Sequence, residues 1–364
     1  MTKRATPVLT VGIPTWNRAK YVSDAIDSLA VEIEYHALQA EVEILISDNG
    51  SEDQTQTVVE ERIARYPYVR YVRNKRNMGV KFNVLQVLRL AEGEYSMMLG
   101  DDDRLVKGSL SAIVGLLRVN FGLPALFVQQ ANYSNVFQDI EEDTLLSFEE
   151  IYRRYFYDIG NAGVFIVSAP RARRVIEERD LSFFNENWPQ TQVLCLSLKD
   201  AERPALISTL KAVDSSLHNS LSVYSAYYLW QAGFADLYTA ARDMKPALGE
   251  EFWETVRSKL CKRMNKVVNG VLFYGSLVDT SEQRRKTAAS IRRLIPLLPW
   301  SLRPRALVLW MHVAFPRAII APLYKARIFI LYGSSEIRAL NETTRKQLER
   351  RSLALRCRSV RENI

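Results

Sequence analysis

Four polar, turn-forming clusters, each directly after a short apolar run, constrain this chain more than any other feature. Val8–Ile13 leads into Pro14-Thr15-Trp16-Asn17-Arg18, and Val42–Ile46 into Ser47-Asp48-Asn49-Gly50-Ser51. Val69–Val72 leads into the segment from Asn74 to Gly79, and Tyr95–Leu99 into Gly100-Asp101-Asp102-Asp103. Between them lie stretches with helical spacing. Ala19–Val31 places Tyr21, Val22, Ala25, Ile26 and Leu29 on one face, and Phe82–Ala91 repeats the pattern. Ser51 is expected to cap the helix after the second strand, with Glu52 and Asp53 in its first turn. Leu110–Leu117 and Ala125–Val128 continue the alternation. Repeated strand–helix units of this length build a parallel sheet covered by helices, and ligands sit beyond the carboxyl ends of its strands. All four clusters therefore converge on one cleft.

From about residue 160 the rhythm changes. Gly163–Ser168 reads as a strand, Arg171–Arg179 as a helix, and Phe183–Pro189 as an aromatic loop before a helix ending near Leu198. Two short strands are expected at Ala205–Ser208 and Lys211–Val213, and beyond Ser222 the pattern is helical. The 364 residues, 48% apolar and 25% charged, suffice for one large α/β domain with a substantial appendage. Cys195, Cys261 and Cys357 lie far apart without metal-ligand spacing, which fits a reducing compartment. Met1–Pro7 lacks the apolar core of a signal peptide, so the expected location is cytoplasmic. Residues 257–364 carry 23 Lys/Arg against 6 Asp/Glu, so this basic third is expected to meet something anionic.

Three consecutive aspartates raise one another's pKa, and a hard divalent cation removes that cost. Mg²⁺ or Mn²⁺ typically takes one or two carboxylates plus substrate phosphates. A solvated acidic turn, or a cap for the following helix, is the plainer reading of Asp101–Asp103, but its place at a strand end favours a site. Asp48 reads either as an Asx turn with Asn49-Gly50 or as an acceptor for a pyrimidine base. Asn77-Met78-Gly79 is common turn chemistry, with Arg73, Lys75 and Arg76 beside it able to hold base or phosphate.

Taken together, Val11–Arg18, Ile46–Asp53, Asn77-Met78-Gly79, Ala91–Tyr95 and Leu99–Asp103 resemble the family 2 glycosyltransferases. The resemblance is close over about the first 120 residues and looser to about 220. The Leu-Gly-Asp-Asp-Asp form and Trp188-Pro189 look most like the bacterial abequosyltransferase-like branch. It implies a GT-A fold, Rossmann-like with a mostly parallel sheet, over residues 1–220, then a basic amphipathic helical region over 221–364.

It also implies a nucleotide-diphosphate sugar donor. Pro14, Thr15, Asn17 and Arg18 would line the nucleotide pocket, Asp48 and Asn49 would face the base, and Asn77 and Gly79 would close over it. Within Asp101, Asp102 and Asp103 one carboxylate would hold the ribose and another the metal, their division left open, and His218 would approach the diphosphate or metal. Family members invert the anomeric centre by direct displacement, with an acidic residue removing the acceptor's proton. In many that residue stands directly before a Trp, but here the position is Asn187, which cannot act as a base. Glu186 is the candidate, followed by Asp180 and Asp158. No Gln-x-x-Arg-Trp motif of processive members is present, so one sugar per encounter is expected. The implied acceptor is a lipid-linked or oligosaccharide hydroxyl in bacterial surface polysaccharide synthesis.

Pro296–Tyr332 mixes Trp300, Trp310 and other aromatics with arginines. Its longest uncharged run, Ala306–Pro316, is too short to span a bilayer. Residues 296–364 are therefore expected to lie on an anionic membrane surface, making the protein peripheral on the inner face of the cell membrane. The alternative is a helical subdomain with arginines outward. Nucleic acid is not expected, because the tail has no zinc spacing or glycine-aromatic RNA signature. Rival readings are a nucleotidyltransferase, which would usually carry a glycine-rich phosphate loop after the first strand, and a non-catalytic membrane-tethered scaffold.

Overall fold

The computed structural model describes residues 6–131, 137, 139–157, 159–215, 230–270 and 281–314. Asp158, His218 and residues 315–364 of the basic tail lie outside these.

The alternation read from the sequence is realised. Strands β1 (Leu9–Thr15), β2 (Val42–Asp48), β3 (Val69–Arg73) and β4 (Tyr95–Met98) alternate with helices α1 (Ala19–Tyr35), α2 (Thr55–Arg65) and α3 (Val80–Leu90). There follow β5 (Arg104–Leu105), α4 (Ser109–Val119), β6 (Ala125–Gln130), β7 (Thr144–Leu146), α5 (Phe148–Tyr155), β8 (Phe165–Ser168), α6 (Ala169–Glu177), α7 (Pro189–Lys199) and β9 (Ala205–Asp214). The sheet order is β3-β2-β1-β4-β8-β6-β9-β5, with β7 on β9. β1 to β4 are parallel in register, Leu9 opposite both Val42 and Tyr95. Every residue of β2 is buried, as a strand covered on both faces requires.

The sequence left one strand direction open, and two local expectations change. β8 runs antiparallel to β4 and β6, because the chain enters it at the carboxyl end of β4, where the Gly163 N–H donates to the Met98 carbonyl at 2.6 Å. The two short strands expected beyond 205 are one strand, β9, whose pairing with β6 shifts register after Phe127. Ser51 does not cap α2. Its N–H and hydroxyl both go back to Asp48, and Asp53 accepts the Thr55 N–H instead. Helix α5 was open to prediction, since Ser147 and Glu150 form a reciprocal capping box.

Two apolar clusters sandwich the sheet. One packs Ile26, Leu29, Ile113 and Leu117 of α1 and α4 on Val11, Ile13, Ile44 and Met97. The other joins Val87 of α3 and Leu194 of α7 to Phe127 and Phe165. It continues into the C-terminal helices α8 (Asp236–Gly270), α9 (Ser281–Leu294) and α10 (Arg303–Ala314) through Trp230, Phe252, Ile291 and Leu309. The helical region thus shares one core with the α/β part. Helix α8 follows a π turn, Gln231–Ala235, and breaks at Gly249, where φ is 90°. Among the described residues no helix is long and apolar enough to cross a membrane.

Helix α3 rests on β1 at Gly12, where an added Cβ would lie 2.8 Å from the Val87 Cβ. Gly12→Val should push α3 off the sheet and cost about 1–3 kcal/mol, the usual penalty of overpacking. A urea denaturation midpoint equal to wild type would refute this close-packing account.

Candidate active site

The carboxyl ends of β1, β2, β3 and β4 bring the four clusters together. Asp101, Asp102 and Asp103 are all buried, a costly placement for three carboxylates in sequence. Arg18 supplies the opposing charge. Its guanidinium donates to Asp101 at 2.6 Å and to Asp102 at 2.9 Å, and packs 4.5 Å from the Tyr21 ring centre. The Thr15 hydroxyl donates to the other Asp101 oxygen at 2.8 Å. Burial still wins at Asp101, whose carboxyl is pushed up to about 6 against the pull of Arg18 and Thr15. The turn tolerates no side chain at Gly100, where a Cβ would stand 2.6 Å from an Asp103 oxygen.

On the neighbouring strand Asp48 is fully buried. One oxygen takes the Ser51 N–H and hydroxyl; the other takes the Tyr71 hydroxyl at 2.6 Å and lies 3.3 Å from Arg73 Nε. Burial and this bond drive the Tyr71 phenol far above its usual range. Arg73, read from the sequence as a base or phosphate ligand, instead clamps Asp48 and the Ser51 carbonyl. Asn17 sits at φ 52°, a conformation Asn tolerates better than most residues, and ties the first loop to the second. Its N–H donates to the Ser51 hydroxyl and its side-chain oxygen accepts the Glu52 N–H.

Asn49 joins the second loop to the third. Its amide donates to the Asn77 side chain and the Gly79 carbonyl, and its oxygen accepts from Asn74 and the Met78 N–H. Beneath lies a network that sequence reasoning missed. Asn83 bonds Ser47 and the Thr15 carbonyl, while Gln86 bonds Ser47 and Asn74. The available signal was a polar pair three residues apart inside the apolar run of α3.

The proton-acceptor candidates separate. Glu186 stands at the rim, 68% exposed, 2.7 Å from Lys81 in the first turn of α3. Asp180 lines a different cavity of about 380 Å³, formed with Phe82, Leu85 and Arg89 on α3 and Ile176 on α6. Among the described residues no three His, Cys, Asp or Glu side chains converge as a ready metal cage.

The sequence profile of the glycosyl transferase family 2 matches residues 10–169, which contain every residue of this strand-end cluster. Residues 10–169 carry the sequence signature of a family 2 glycosyl transferase domain. Over 102 residues the chain is 34% identical to abequosyltransferase RfbV of Salmonella typhimurium, covering 28% of this chain and 30% of that one. Over 158 residues it is 28% identical to the GalNAc(5)-diNAcBac-PP-undecaprenol beta-1,3-glucosyltransferase of Campylobacter jejuni, 41% of this chain and 49% of that one. The chain spans about a third to a half of the length of these curated relatives. Its fold is similar to that of S. aureus TarS 1–349 in complex with UDP-GlcNAc, with a TM-score of 0.56 at 18% identity over 84% of this chain and 87% of that one.

The raised Asp101 pKa fixes a sign for the family 2 domain. The folded state holds this proton more tightly than the unfolded chain, so stability from this group is present below about pH 4 and lost as pH rises to about 6. In EDTA, Asp101→Asn should therefore melt higher than wild type at pH 7.5, by at most about 3 kcal/mol, and gain nothing at pH 4. A gain independent of pH in a thermal scan would contradict the assignment.

Proposed function

We propose that this chain is an inverting, non-processive glycosyltransferase. It would move one sugar from a nucleotide-diphosphate sugar to a hydroxyl of a lipid-linked or oligosaccharide acceptor in bacterial surface polysaccharide synthesis. The observation that carries the reading is the buried, Arg18-compensated run Asp101–Asp103, set beside Asp48 and Asn49 at adjacent strand ends of a family 2 domain. The relatives support it in kind: one is named for abequosyl transfer, another for glucosyl transfer to an undecaprenol-linked glycan. TarS 1–349 is similar in fold and was solved with UDP-GlcNAc.

The loops lying over Asn49 and Asn77 would receive the nucleotide, with Pro14, Thr15, Asn17, Asp48 and Gly79 shaping its pocket. Asp101 and Asp102 offer the hard oxygen donors that Mg²⁺ or Mn²⁺ prefers. An ion sharing its shell with donor phosphates needs no more than one or two carboxylates from the protein. Such an ion supplies Lewis-acid neutralisation of charge on the leaving diphosphate. Arg18 already meets these carboxylates as a cation, and its planar fork suits a diphosphate equally well. On the opposite side Glu186 would take the proton of the acceptor hydroxyl. The oxygen then bonds to the anomeric carbon as the bond to the diphosphate breaks, which inverts the centre.

A panel of UDP-, GDP-, dTDP- and CDP-sugars with Mn²⁺, read by nucleoside diphosphate release, identifies the donor. Replacing Asp101–Asp103 together by Asn should abolish Mn²⁺-dependent donor binding in calorimetry; unchanged binding would sink the metal reading. Glu186→Gln should bind donor normally and lose at least about 100-fold in turnover, the usual worth of a general base.

The membrane reading also gains support. From residue 283 to 335 the sequence holds ten Lys/Arg and no Asp or Glu. Trp300 is 81% exposed with the Arg303 guanidinium 4.0 Å above its ring. Leu297, Leu307, Val308 and Met311 are exposed beside Arg305. An aromatic, apolar and cationic face of this kind suits an anionic bilayer surface. Full-length protein should co-sediment with phosphatidylglycerol vesicles but not with phosphatidylcholine alone. Trp300→Glu with Leu307→Glu should remove most of the bound fraction, and undiminished binding would discard this face.

A further inference from the structure

Three segments far apart in the chain meet around one buried carboxylate. Asp236, at the start of α8, is 5% exposed, and no Lys, Arg or His is ion-paired with it among the described residues. A carboxylate withdrawn from water without a cation must be carried by hydrogen bonds. Here they come from two neutral amides, the side chains of Asn187 and Gln231. The Gln231 oxygen accepts from the Ser290 hydroxyl of α9 at 2.6 Å, and that hydroxyl accepts from the Trp230 indole at 3.2 Å. Burial lifts the Asp236 pKa, and the Glu186 charge adds to it, so the two carboxylates feel one another.

The loop carrying Glu186 is fastened from both sides. The Asn185 side-chain oxygen accepts the N–H groups of Asn187 and Trp188, at 3.2 and 2.6 Å. The Trp188 indole donates to the Ala232 carbonyl at 2.7 Å. Ala232 lies in the π turn, Gln231–Ala235, a local widening that frees a carbonyl from the usual helical ladder. Between these anchors Glu186 alone reaches away, to Lys81 at the donor-side end of α3. A loop held by its neighbours' side chains, with one exposed acid at its tip, is built to aim that acid.

We infer that Asp236 is a positioning residue of the transfer reaction: through Asn187 it holds the Asn185–Trp188 loop so that Glu186 faces the acceptor hydroxyl. The inference rests on the reading of Glu186 as proton acceptor. Asp236 touches neither donor nor acceptor; it acts through the loop. A purely structural role would be felt as lost folding stability and weaker binding of every ligand. A positioning role is felt in kcat, because misplacing a reacting group by about 1 Å can cost about 100-fold.

The test uses full-length protein and the sugar nucleotide turned over in the donor panel. Asp236→Asn should lower kcat about 10- to 100-fold while the calorimetric donor Kd stays within about twofold. Asn187→Ala, which leaves Asp236 in place and cuts its link to the loop, should give the same split and covers the case in which Asp236→Asn fails to fold. In the Glu186→Gln background neither substitution should lower kcat further, since the group they position is gone. Wild-type kcat in Asn187→Ala, or an undiminished effect in the Glu186→Gln background, overturns the inference. If Glu186→Gln itself keeps wild-type turnover, the proton-acceptor reading falls first and takes this one with it. If Glu186→Gln is inactive while Asp236→Asn is normal, only the present inference falls.

Discussion

Three carboxylates stand buried side by side at the end of β4, and the architecture around them follows from the need to make that tolerable. One guanidinium meets two of them, and it comes from residue 18, more than eighty positions away. It arrives because β1 and β4 are neighbours in the sheet, in a register that sets Gly12 opposite Met98. β4 therefore stops opposite Gly12 while β1 runs on to Thr15, and the turn after β4 lies beside the end of β1 and the loop that follows it. Thr15 completes the first carboxylate, and the carbonyls of Asp101 and Asp103 turn to Arg104. An acid left without such partners in this setting would simply take up a proton. Asp101, despite its partners, is halfway there at pH 6.

The second and third loops solve a different problem with different chemistry. Their own polar side chains interlock through Asn49, Asn74 and Asn77, which need no counter-charge. Asn83 and Gln86 extend that lattice under the loops and join it to Ser47 on β2 and the Thr15 carbonyl on β1. Each such bond contributes about 1 kcal/mol net, whereas one orphaned buried amide costs more than one bond gains. The lattice is therefore cooperative. It holds these loops in one shape, which would lower the ordering cost of any ligand they bind.

What the sequence revealed follows from the range of the interactions. The first four strands and their loops were legible because a strand-end cluster is local in the chain, and parallel order follows from strand–helix alternation. Asp48, Asn49, Asn77 and Asp101–Asp103 could thus be placed in one cleft from spacing alone. Ser51 misled because a hydroxyl near a helix start looks the same whether it caps the helix or closes a turn on Asp48. The reversal of β8 was hidden, since nothing local to Phe165–Ser168 shows from which edge the chain enters. Asn83 and Gln86 were hidden by their apolar neighbours, and Asp236 by its distance of 49 residues from Asn187.

That division of range also divides the active site. The family 2 match ends at residue 169, and every residue of the strand-end cluster lies inside it. Glu186, Lys81's partner, and the Asp236 network lie beyond, in the loop before α7, the π turn, α8 and α9. These elements share the apolar cluster of Phe127 and Phe165, so they are built into the same core. A nucleotide pocket can be preserved by a few loop residues at strand ends. The loop that carries Glu186 is held differently, by anchors scattered over about a hundred residues. On the proposed reading, strand-end loops inside the family match hold the donor, and the loop before α7 with the helices packed on it faces the acceptor.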